Sequence, residues 1–458
     1  MLRPFRAAGW LAGLAAVIAA SGAARAQAPR PVVRPNVVFI LADDLGYGDL
    51  GAQGHPTIRT PRIDTLAAEG ARMTVFYAAP SCSPSRYQFL TGRYSIRGTT
   101  HDALMPESTA GLPADEVTIA DLARSAGYRT AAIGKWHLGT LPGFRPTEHG
   151  FEAYFGLLYS NDMIRPWVQT DVPLRLFRNT EALPGEVDVS QLTERYTQGA
   201  VTFIRENRSR PFLLYLAHSM PHVPLGVTAR FAGTSAAGRY GDVIEMIDWS
   251  TGAVLDALRE AGVADRTLVV FTSDNGPWAE MPARMLTDPR VVATDAGTAG
   301  PLRGSKASTW EGGVRVPFIA RWPGRIQAAT VTSAMGAAVD LLPTVARAIG
   351  AALPAGRAID GQDLLPVLEG TDRAGRSEFL YLNSTRLEAV RDRQWKLRLT
   401  AAPDGRIVTE LYDLVNDVGE RFDQAAAHPD IVRRLEERAR GFARDTGATV
   451  PGTAPDRR

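Results

Sequence analysis

Two short acidic segments carry the side chains best suited to binding a metal ion. Asp43-Asp44 and Asp274-Asn275 each follow a short apolar run, and together they offer hard oxygen ligands. Such ligands suit Ca²⁺ or Mg²⁺ rather than Zn²⁺. Each pair also has a structural interpretation, since Asp-Asp can cap a helix and Asp-Asn-Gly can form a turn. Taken singly, neither pair decides between the two.

Cys82 is the one cysteine of the chain. It can form no internal disulfide, so it does not cross-link the fold. A lone cysteine is usually a small buried hydrophobic residue. Its neighbours argue for a different role here, because they form the dense motif Cys82-Ser83-Pro84-Ser85-Arg86, followed by Leu90-Thr91-Gly92-Arg93.

Lysine is rare in this chain. It occurs at Lys135, Lys306 and Lys396, and arginine supplies every other basic side chain. A chain that uses arginine for ordinary positive charge is expected to keep lysine where a compact ammonium group is needed. The three positions are therefore candidates for a functional role, although chance could also leave so few.

The elements that must position these residues are buried strands alternating with helices. Short runs rich in Val, Ile, Leu and Phe predict strands at residues 36–41, 130–133, 212–216, 268–271 and 317–320. Helical patterns lie between them at residues 61–69, 118–126, 192–206 and 240–261, and another follows at 340–349. This alternation predicts a mainly parallel sheet with helices on both faces.

Four of the predicted strands end in residues that can bind a metal or move a proton. These residues are Asp43-Asp44, Lys135 with His137, His218 with His222, and Asp274-Asn275. Ligand sites of open parallel sheets form beyond the carboxyl ends of the strands. The sequence therefore predicts one site at one edge of the sheet. His218 is either part of its wall or a hydrogen-bonded core residue.

The N-terminus has the pattern of a secretory signal. Arg3 and Arg6 precede an apolar stretch at residues 9–20 that is too short to span a bilayer, and Ala24-Arg25-Ala26 resembles a cleavage site. A membrane anchor is the alternative, disfavoured by that length. We expect cleavage near Ala26 and a periplasmic or secreted protein without a membrane anchor.

The chain divides by composition into five parts. We predict a signal peptide at 1–26, a catalytic domain at 27–353, a linker at 354–376, a small domain at 377–450 and a tail at 451–458. The small domain contains four short strand patterns and a helix at 429–444, typical of an α+β unit. The formal charge is +2 and no basic run occurs, so a nucleic-acid partner is not expected.

The cysteine motif resembles the sulfatase signature Cys-x-Pro-Ser-Arg with its Leu-Thr-Gly-Arg extension. Blocks at residues 42–51, 134–139 and 300–324 are similar to further blocks of that family, and the resemblance covers nearly all of the mature chain. It implies an alkaline-phosphatase-like α/β fold. In that fold a mainly parallel or mixed sheet lies between helices, and a small C-terminal α+β domain contains an antiparallel sheet and a helix.

The resemblance also implies a set of site residues and a modified nucleophile. Cys82 would be converted to formylglycine by the formylglycine-generating enzyme and would then hydrate to a diol. One Ca²⁺, with Mg²⁺ as the alternative, would be bound by Asp43, Asp44, Cys82, Asp274 and Asn275. The implied catalytic residues are Cys82, Arg86, Lys135, His137, His222 and Lys306, and the implied substrate contacts are Ser160, Lys135, His222 and Lys306.

The resemblance assigns a role to each of these residues. Arg86 would hold the diol, and Lys135 and Lys306 would contact the sulfate oxygens. His137 would accept a proton from the diol, and His222, with Lys306, would protonate the leaving oxygen.

The implied activity is hydrolysis of an aryl or carbohydrate sulfate, so the partner is a sulfated small molecule or glycan. One alternative is a phosphonate monoester or phosphodiester hydrolase of the same superfamily, and another is an unmodified paralogue that binds sulfated glycans. Selectivity is expected in the loops at residues 98–113, 162–186 and 277–299. Trp167, Trp278 and Tyr94 could stack on a ring of the substrate or could be packing residues.

Overall fold

The computed structural model describes residues 34–402, 404 and 406–451. Within these residues the chain forms a ten-stranded mixed sheet with helices on both faces and a four-stranded antiparallel sheet near the C-terminus. The predicted fold class is therefore confirmed. The predicted signal peptide, and all of the predicted tail except residue 451, lie outside the described residues.

The large sheet has the strand order β10-β2-β9-β8-β1-β7-β3-β4-β5-β6. Its strands are β1 (Asn36–Ala42), β2 (Ala71–Tyr77), β3 (Arg129–Gly134), β4 (Ala153–Leu157), β5 (Leu176–Arg178), β6 (Glu181–Ala182), β7 (Phe212–Ala217), β8 (Thr267–Ser273), β9 (Phe318–Arg321) and β10 (Thr330–Ala337). Strands β8, β1, β7 and β3 lie side by side and are mutually parallel. Their carboxyl ends therefore meet at one edge.

Strand β1 shows why the buried strands appear as continuous apolar runs. All of its residues are buried. Its odd-numbered residues join one hydrophobic core and its even-numbered apolar residues join a second core on the opposite face of the sheet. Because both faces are covered by helices, no alternation of polar and apolar residues is needed.

The described helices are α1 (Pro61–Ala68), α2 (Cys82–Thr91), α3 (Ile119–Ser125), α4 (Leu192–Glu206), α5 (Gly238–Glu260), α6 (Glu311–Val314), α7 (Leu341–Ile349), α8 (Leu365–Leu368) and α9 (Pro429–Thr446). Thr118 caps the N-terminus of helix α3, because its side chain accepts hydrogen bonds from the N–H groups of Ala120 and Asp121. No helix within the described residues is long and apolar enough to cross a membrane.

Several elements were not predicted. Helix α2 is buried at every residue, so its sequence has no amphipathic period. Strand β10 is rich in small and polar residues, and β2 contains Arg72 and Thr74. Strand β9 was predicted, but it runs antiparallel to its neighbours β2 and β8.

The small sheet is formed by β11 (Glu378–Asn383), β12 (Arg386–Asp392), β13 (Trp395–Ala401) and β14 (Ile407–Asp413). Helix α9 packs against it through Leu435, Ala439 and Phe442. The segment predicted as a linker contains α8, with Leu365 and Leu368 buried in the main core. The predicted domain boundaries themselves stay predictions.

Candidate active site

The carboxyl ends of four adjacent parallel strands supply most of the predicted site. Strand β1 is followed by Asp43 and Asp44, β3 by Lys135 and His137, β7 by His222, and β8 by Asp274 and Asn275. All seven side chains are buried. The structure therefore brings these residues together at one edge, where the strand pattern predicts them.

Cys82 is the first residue of α2, and its Sγ atom lies 3.4 Å from Oδ1 of Asp43. A helix N-terminus carries partial positive charge and unpaired N–H groups, so it favours a negatively charged group at position 82. Burial raises the pKa of the Cys82 thiol well above its ordinary value. An unmodified thiol would therefore stay protonated and would be a poor nucleophile.

The acidic residues form an oxygen-rich cluster around this position. Ligand atoms of Asp43, Asp44, Cys82 and His222 lie within 4.8 Å of one another. Oδ1 of Asp274 accepts the N–H of Asp44 at 3.2 Å, which places this carboxylate beside the others. His222 thus lies beside the predicted metal ligands, where the sequence placed it as a proton donor.

Asn275 provides the clearest indication that the cluster fits a metal ion. Its Nδ2 donates to Oδ1 of Asp44 at 2.6 Å, which turns the amide oxygen away from that carboxylate. The oxygen, Oδ1, is buried and has no hydrogen-bond partner within the described residues. A buried oxygen without a donor is costly unless a cation binds it. These residues therefore suit a hard divalent ion such as Ca²⁺.

Three cations face the three carboxylates. Arg86 Nη2 lies 2.8 Å from Asp274, Lys135 Nζ lies 2.5 Å from Asp43 and Lys306 Nζ lies 2.8 Å from Asp44. Burial would raise the pKa of Asp43, but the charges of Lys135, His222 and Arg86 together outweigh burial and hold it below its usual value. Because these charges balance, a divalent ion would make the site positive and suited to a sulfate anion.

The orientation of His137 suits a proton acceptor. Its Nε2 lies 3.0 Å from the carbonyl oxygen of Leu104, which can only accept, so Nε2 carries the proton. Nδ1 is buried and has no partner within the described part of the chain. Burial lowers the pKa of His137 well below its ordinary value, and the Lys135 and Arg86 charges lower it further. The ring is therefore neutral, with a free lone pair on Nδ1.

The orientation of His222 is different. Its Nδ1 lies 2.6 Å from the carbonyl oxygen of Val223 and so donates to it. This leaves Nε2 facing the cluster, 3.6 Å from Oδ2 of Asp44. His222 can therefore present Nε2 to a substrate bound there.

Two further residues resolve expectations from the sequence. Lys135 Nζ donates to Ser160 Oγ at 3.0 Å, so Ser160 joins the site. His218 lies in the core, with its Nε2 3.3 Å from Ser250 Oγ. Burial lowers the pKa of His218 to about 4, so it is neutral. His218 is thus a hydrogen-bonded core residue.

The backbone adopts unusual conformations at the site. Asp44, His137 and Ala307 have φ angles of 67°, 59° and 68°, in the left-handed region that glycine favours. Such residues cost on the order of 1–3 kcal/mol each and cluster at functional sites. Gly134, with φ 111°, precedes Lys135, and a Cβ atom there would lie 1.7 Å from the Ala217 carbonyl oxygen.

Sequence reasoning missed two residues next to Ser160. Asn161 Nδ2 donates to the main-chain oxygens of His222 at 3.3 Å and Pro224 at 3.2 Å, which fixes the His222 segment. Asp162 is 4% exposed and lies near the cations of the site. The segment Tyr159-Ser160-Asn161-Asp162 was the available signal, but only its serine was selected.

Lys396, the third lysine, lies outside the site. Its Nζ is 3.1 Å from Glu311 and 2.7 Å from Glu420, and all three side chains are buried. Glu311 also accepts hydrogen bonds from the hydroxyl groups of Tyr77 and Tyr381. This network joins the small sheet to the segment that carries Lys306. Of the three lysines that the sequence singled out, Lys135 and Lys306 lie in the site and Lys396 lies in a buried ion cluster.

Comparison with known proteins decides the family. A family model described as Sulfatase matches residues 35–351, about two thirds of the chain. The chain belongs to the sulfatase family. A second model, described as N-sulphoglucosamine sulphohydrolase, C-terminal, matches residues 305–443.

Curated sulfatases align over most of the chain. N-acetylgalactosamine-6-sulfatase of Canis lupus familiaris is 39% identical over 411 residues, which cover 85% of this chain and 75% of the relative. Arylsulfatase G of Mus musculus is 38% identical, covering 77% and 72%. Steryl-sulfatase of Homo sapiens is 36% identical, covering 77% and 74%. The protein is accordingly a sulfuric ester hydrolase.

Several solved structures share the fold. The PsFucS1 sulfatase of Pseudoalteromonas sp. superposes with a TM-score of 0.80 and 27% identity, covering 91% of this chain and 92% of that one. Ps i-CgsB, in complex with k-i-k-neocarrahexaose, superposes with a TM-score of 0.79 and 27% sequence identity. The match covers 92% of this chain and 95% of that one. The phosphonate monoester hydrolase of Agrobacterium radiobacter shares the fold, with a TM-score of 0.61 and 20% sequence identity. The match covers 90% of this chain and 96% of that one.

Proposed function

We propose that this sulfatase cleaves the S–O bond of a carbohydrate or aryl sulfate, using formylglycine made from Cys82 and one bound Ca²⁺, with Mg²⁺ as the alternative. The observation that carries the proposal is the position of Cys82. It lies at the N-terminus of α2, 3.4 Å from Asp43, inside a buried ring of carboxylates and cations. Its maturation would require the formylglycine-generating enzyme as a partner.

A hydrated aldehyde at position 82 would supply one hydroxyl to attack sulfur and a second whose deprotonation expels sulfate. Arg86 would orient this group, because its guanidinium is fixed by two hydrogen bonds to Oδ2 of Asp274, at 3.0 and 2.8 Å. The free Nδ1 of His137 is the acceptor for the proton of the second hydroxyl. A serine or thiol at position 82 lacks that second hydroxyl.

The remaining residues act on the sulfate and on the leaving alcohol. Lys135 and Lys306 would stabilise the charge that develops on the sulfate oxygens, in a buried site where such interactions are strong. His222 would donate a proton from Nε2 to the leaving oxygen, aided by Lys306. Ser160, held by Lys135, would donate to a sulfate oxygen.

Four side chains would hold the metal ion together with an oxygen from residue 82: Asp43, Asp44, Asp274 and Asn275. The ion would add positive charge that polarises the sulfate group. The support is the unpaired buried Oδ1 of Asn275 and the hard oxygen character of the set.

We also propose that the protein is exported to the periplasm or secreted. The support is the signal pattern at residues 1–26 and the single cysteine, which leaves no thiol pair to oxidise outside the cytoplasm.

The experiment that tests the reaction compares 4-nitrophenyl sulfate with 4-nitrophenyl phosphate and a phenyl phosphonate monoester, each with wild type and with Cys82→Ser. Wild type should prefer the sulfate, and Cys82→Ser should transfer sulfate once and then stop. A preference for a phosphorus ester would favour the phosphonate monoester or phosphodiester hydrolase. Binding of sulfated glycans without turnover of any ester would favour the binding paralogue.

A further inference from the structure

Trp278 lies against two residues that would act on the leaving group. Lys306 Nζ is 4.4 Å from the centre of the Trp278 ring, and the ring centres of His222 and Trp278 are 5.3 Å apart. The N–H of Lys306 donates to the carbonyl oxygen of Pro277 at 2.9 Å, so the backbone fixes this spacing. Trp278 is partly exposed, whereas His222 and Lys135 are buried. Arg284 Cζ lies 5.9 Å from the centre of the same ring, and Trp278 also packs against the hydrophobic cluster that contains Trp167 and Val223. Only part of Trp278 is therefore accessible, and its ring lies next to the proposed proton donor His222.

The other two aromatic residues that the sequence marked for stacking are packing residues. Tyr94 is 2% exposed and packs against Phe379 and Phe442. Trp167 is also 2% exposed, and its Nε1 donates to the carbonyl oxygen of Met285 at 3.2 Å. Of the three, Trp278 alone is partly exposed, and it lies next to Lys306 and His222.

Asp162 provides a carboxylate whose sequence neighbours are hydrogen-bonded to Lys135 and to the main chain of His222. Its neighbour Ser160 is hydrogen-bonded to Lys135, and its neighbour Asn161 is hydrogen-bonded to the His222 main chain. Asp162 itself is 4% exposed, and its Oδ1 is buried without a hydrogen-bond partner within the described residues. It is therefore held beside the cations with one oxygen unsatisfied.

Burial alone would raise the pKa of Asp162, but the charges of His222, Lys306 and Lys135 outweigh burial and lower it. The group is thus an ionised carboxylate, which can only accept hydrogen bonds. Leaving such an oxygen buried without a donor destabilises the protein, and a ligand that brings a donor removes this cost. The Asp162 carboxylate can therefore accept a hydrogen bond from a hydroxyl group of the substrate.

We propose that Trp278 and Asp162 form the leaving-group subsite and that the leaving group is a sugar. Trp278 packs against one face of the sugar ring, and Asp162 accepts a hydrogen bond from a ring hydroxyl other than the sulfated one. A simple phenol or estrone offers a face for Trp278 but no second hydroxyl for Asp162, whereas a sugar offers both. This inference rests on the proposed function and adds its substrate class.

The test measures sulfate release by the mature enzyme from two groups of probes. The first group is galactose 6-sulfate, N-acetylglucosamine 6-sulfate and the disaccharides of chondroitin sulfate and heparan sulfate. The second is 4-nitrophenyl sulfate and estrone sulfate. We expect turnover of at least one sugar sulfate. Turnover of the second group alone would overturn the sugar assignment and leave the sulfatase reaction intact, whereas no turnover of any probe would contradict the proposed function itself.

Variants then test the two residues through a selectivity ratio, kcat/KM for the best sugar sulfate divided by kcat/KM for 4-nitrophenyl sulfate. Trp278→Ala should lower this ratio about tenfold, chiefly through KM, and Trp278→Phe should recover most of it. Asp162→Ala should lower the ratio by about 10- to 100-fold, and Asp162→Asn, which keeps an acceptor, by less. Parallel losses on both probes would mean that these residues only position His222 and Lys306, and would overturn the proposal.

Two controls separate binding from structural effects. Trp249 is a matched control, because it is also partly exposed with a cation over its ring, Arg230 Cζ at 4.0 Å, and lies on α5. Trp249→Ala should leave the ratio unchanged. Asp162→Asn should leave the Tm within about 2 °C of wild type, because it keeps the size of the side chain and an acceptor for the Ser160 hydroxyl, and Oδ1 has no hydrogen-bond partner within the described residues. A large fall in Tm would assign Asp162 a structural role and contradict the subsite.

Discussion

The ammonium group of Lys306 lies 2.8 Å from Oδ1 of Asp44, while the residue that follows it, Ala307, has a left-handed backbone with φ 68°. Lys306 is thus held between a carboxylate of the predicted metal cluster and the ring of Trp278. A compact, strongly hydrated ammonium fits this narrow position, whereas a planar guanidinium is larger and needs a fork of acceptors. The identity of the cation therefore matters as well as its charge.

Lys306→Arg should lower kcat/KM by about 10²- to 10³-fold although it keeps the charge, because the donor no longer reaches the sulfate in the transition state. Arg205→Lys, which changes an exposed residue paired with Glu260, is the matched control and should have wild-type activity. Steady-state kinetics with 4-nitrophenyl sulfate provide the measurement. Activity of Lys306→Arg within about threefold of wild type would refute the argument from cation shape.

Lys396→Met should destabilise the fold by about 3–5 kcal/mol, because it removes the buried cation that Glu311 and Glu420 share, and the two arginines near Glu311 are farther from it, at 3.5 and 3.9 Å. The Lys396 charge is the largest opposing cause that holds the pKa of Glu311 at about 2 in spite of burial. Urea unfolding measures the change. Arg205→Met, at an exposed ion pair, should cost less than about 1 kcal/mol. Equal effects of the two substitutions would show that the buried cluster contributes no more than a surface pair.

Removing divalent ions should abolish activity and lower the Tm, and Ca²⁺ should restore both. A ligand present at 100 times its Kd stabilises the native state by about 2.7 kcal/mol, so the shift is measurable by calorimetry. Asn275→Ala should shrink the Ca²⁺-dependent rise in Tm, whereas Asn416→Ala, at an exposed turn, should not. A Tm that does not respond to Ca²⁺ or Mg²⁺ in wild type would rule out the predicted metal site.

The enzyme should keep its kcat at pH values below the ordinary pKa of histidine. Burial, Lys135 and Arg86 lower the pKa of His137, and its neutral form is the one that accepts a proton. As the pH falls through about 6.5, His137 therefore stays neutral and active, while the unfolded chain takes up the proton and the folded state loses stability. A pH–rate profile with 4-nitrophenyl sulfate checks this. An acidic limb centred at or above pH 6.5 would contradict the assignment of His137 as the base.

The sequence predicts the site well where backbone topology alone brings residues together. Strands β1, β3, β7 and β8 are continuous apolar runs because they are buried on both faces, and their ends carry the metal and acid–base residues. Helix α2, which positions Cys82, has no such pattern, because every one of its residues is buried. Only the motif around Cys82 identified that segment.

Other features depend on contacts between residues that are distant in the sequence. Lys396 pairs with Glu311, which lies 85 residues earlier in the chain, and with Glu420, which lies in a later loop. Its role in this ion cluster could therefore not be predicted from the rarity of lysine. The unpaired oxygen of Asp162 and the cation over Trp278 are likewise properties of the packed structure. Local pattern carries no information about either.

The central claim is that residue 82 works as formylglycine, and the mass of the tryptic peptide of residues 73–86 tests it most directly. The protein should be produced with the formylglycine-generating enzyme present. Conversion replaces one sulfur and two hydrogen atoms by one oxygen, so the peptide becomes lighter by that difference and reacts with a hydrazide. We predict this lighter, hydrazide-reactive peptide in active enzyme. Full activity in a preparation whose peptide carries only the unmodified thiol of Cys82 would contradict the account.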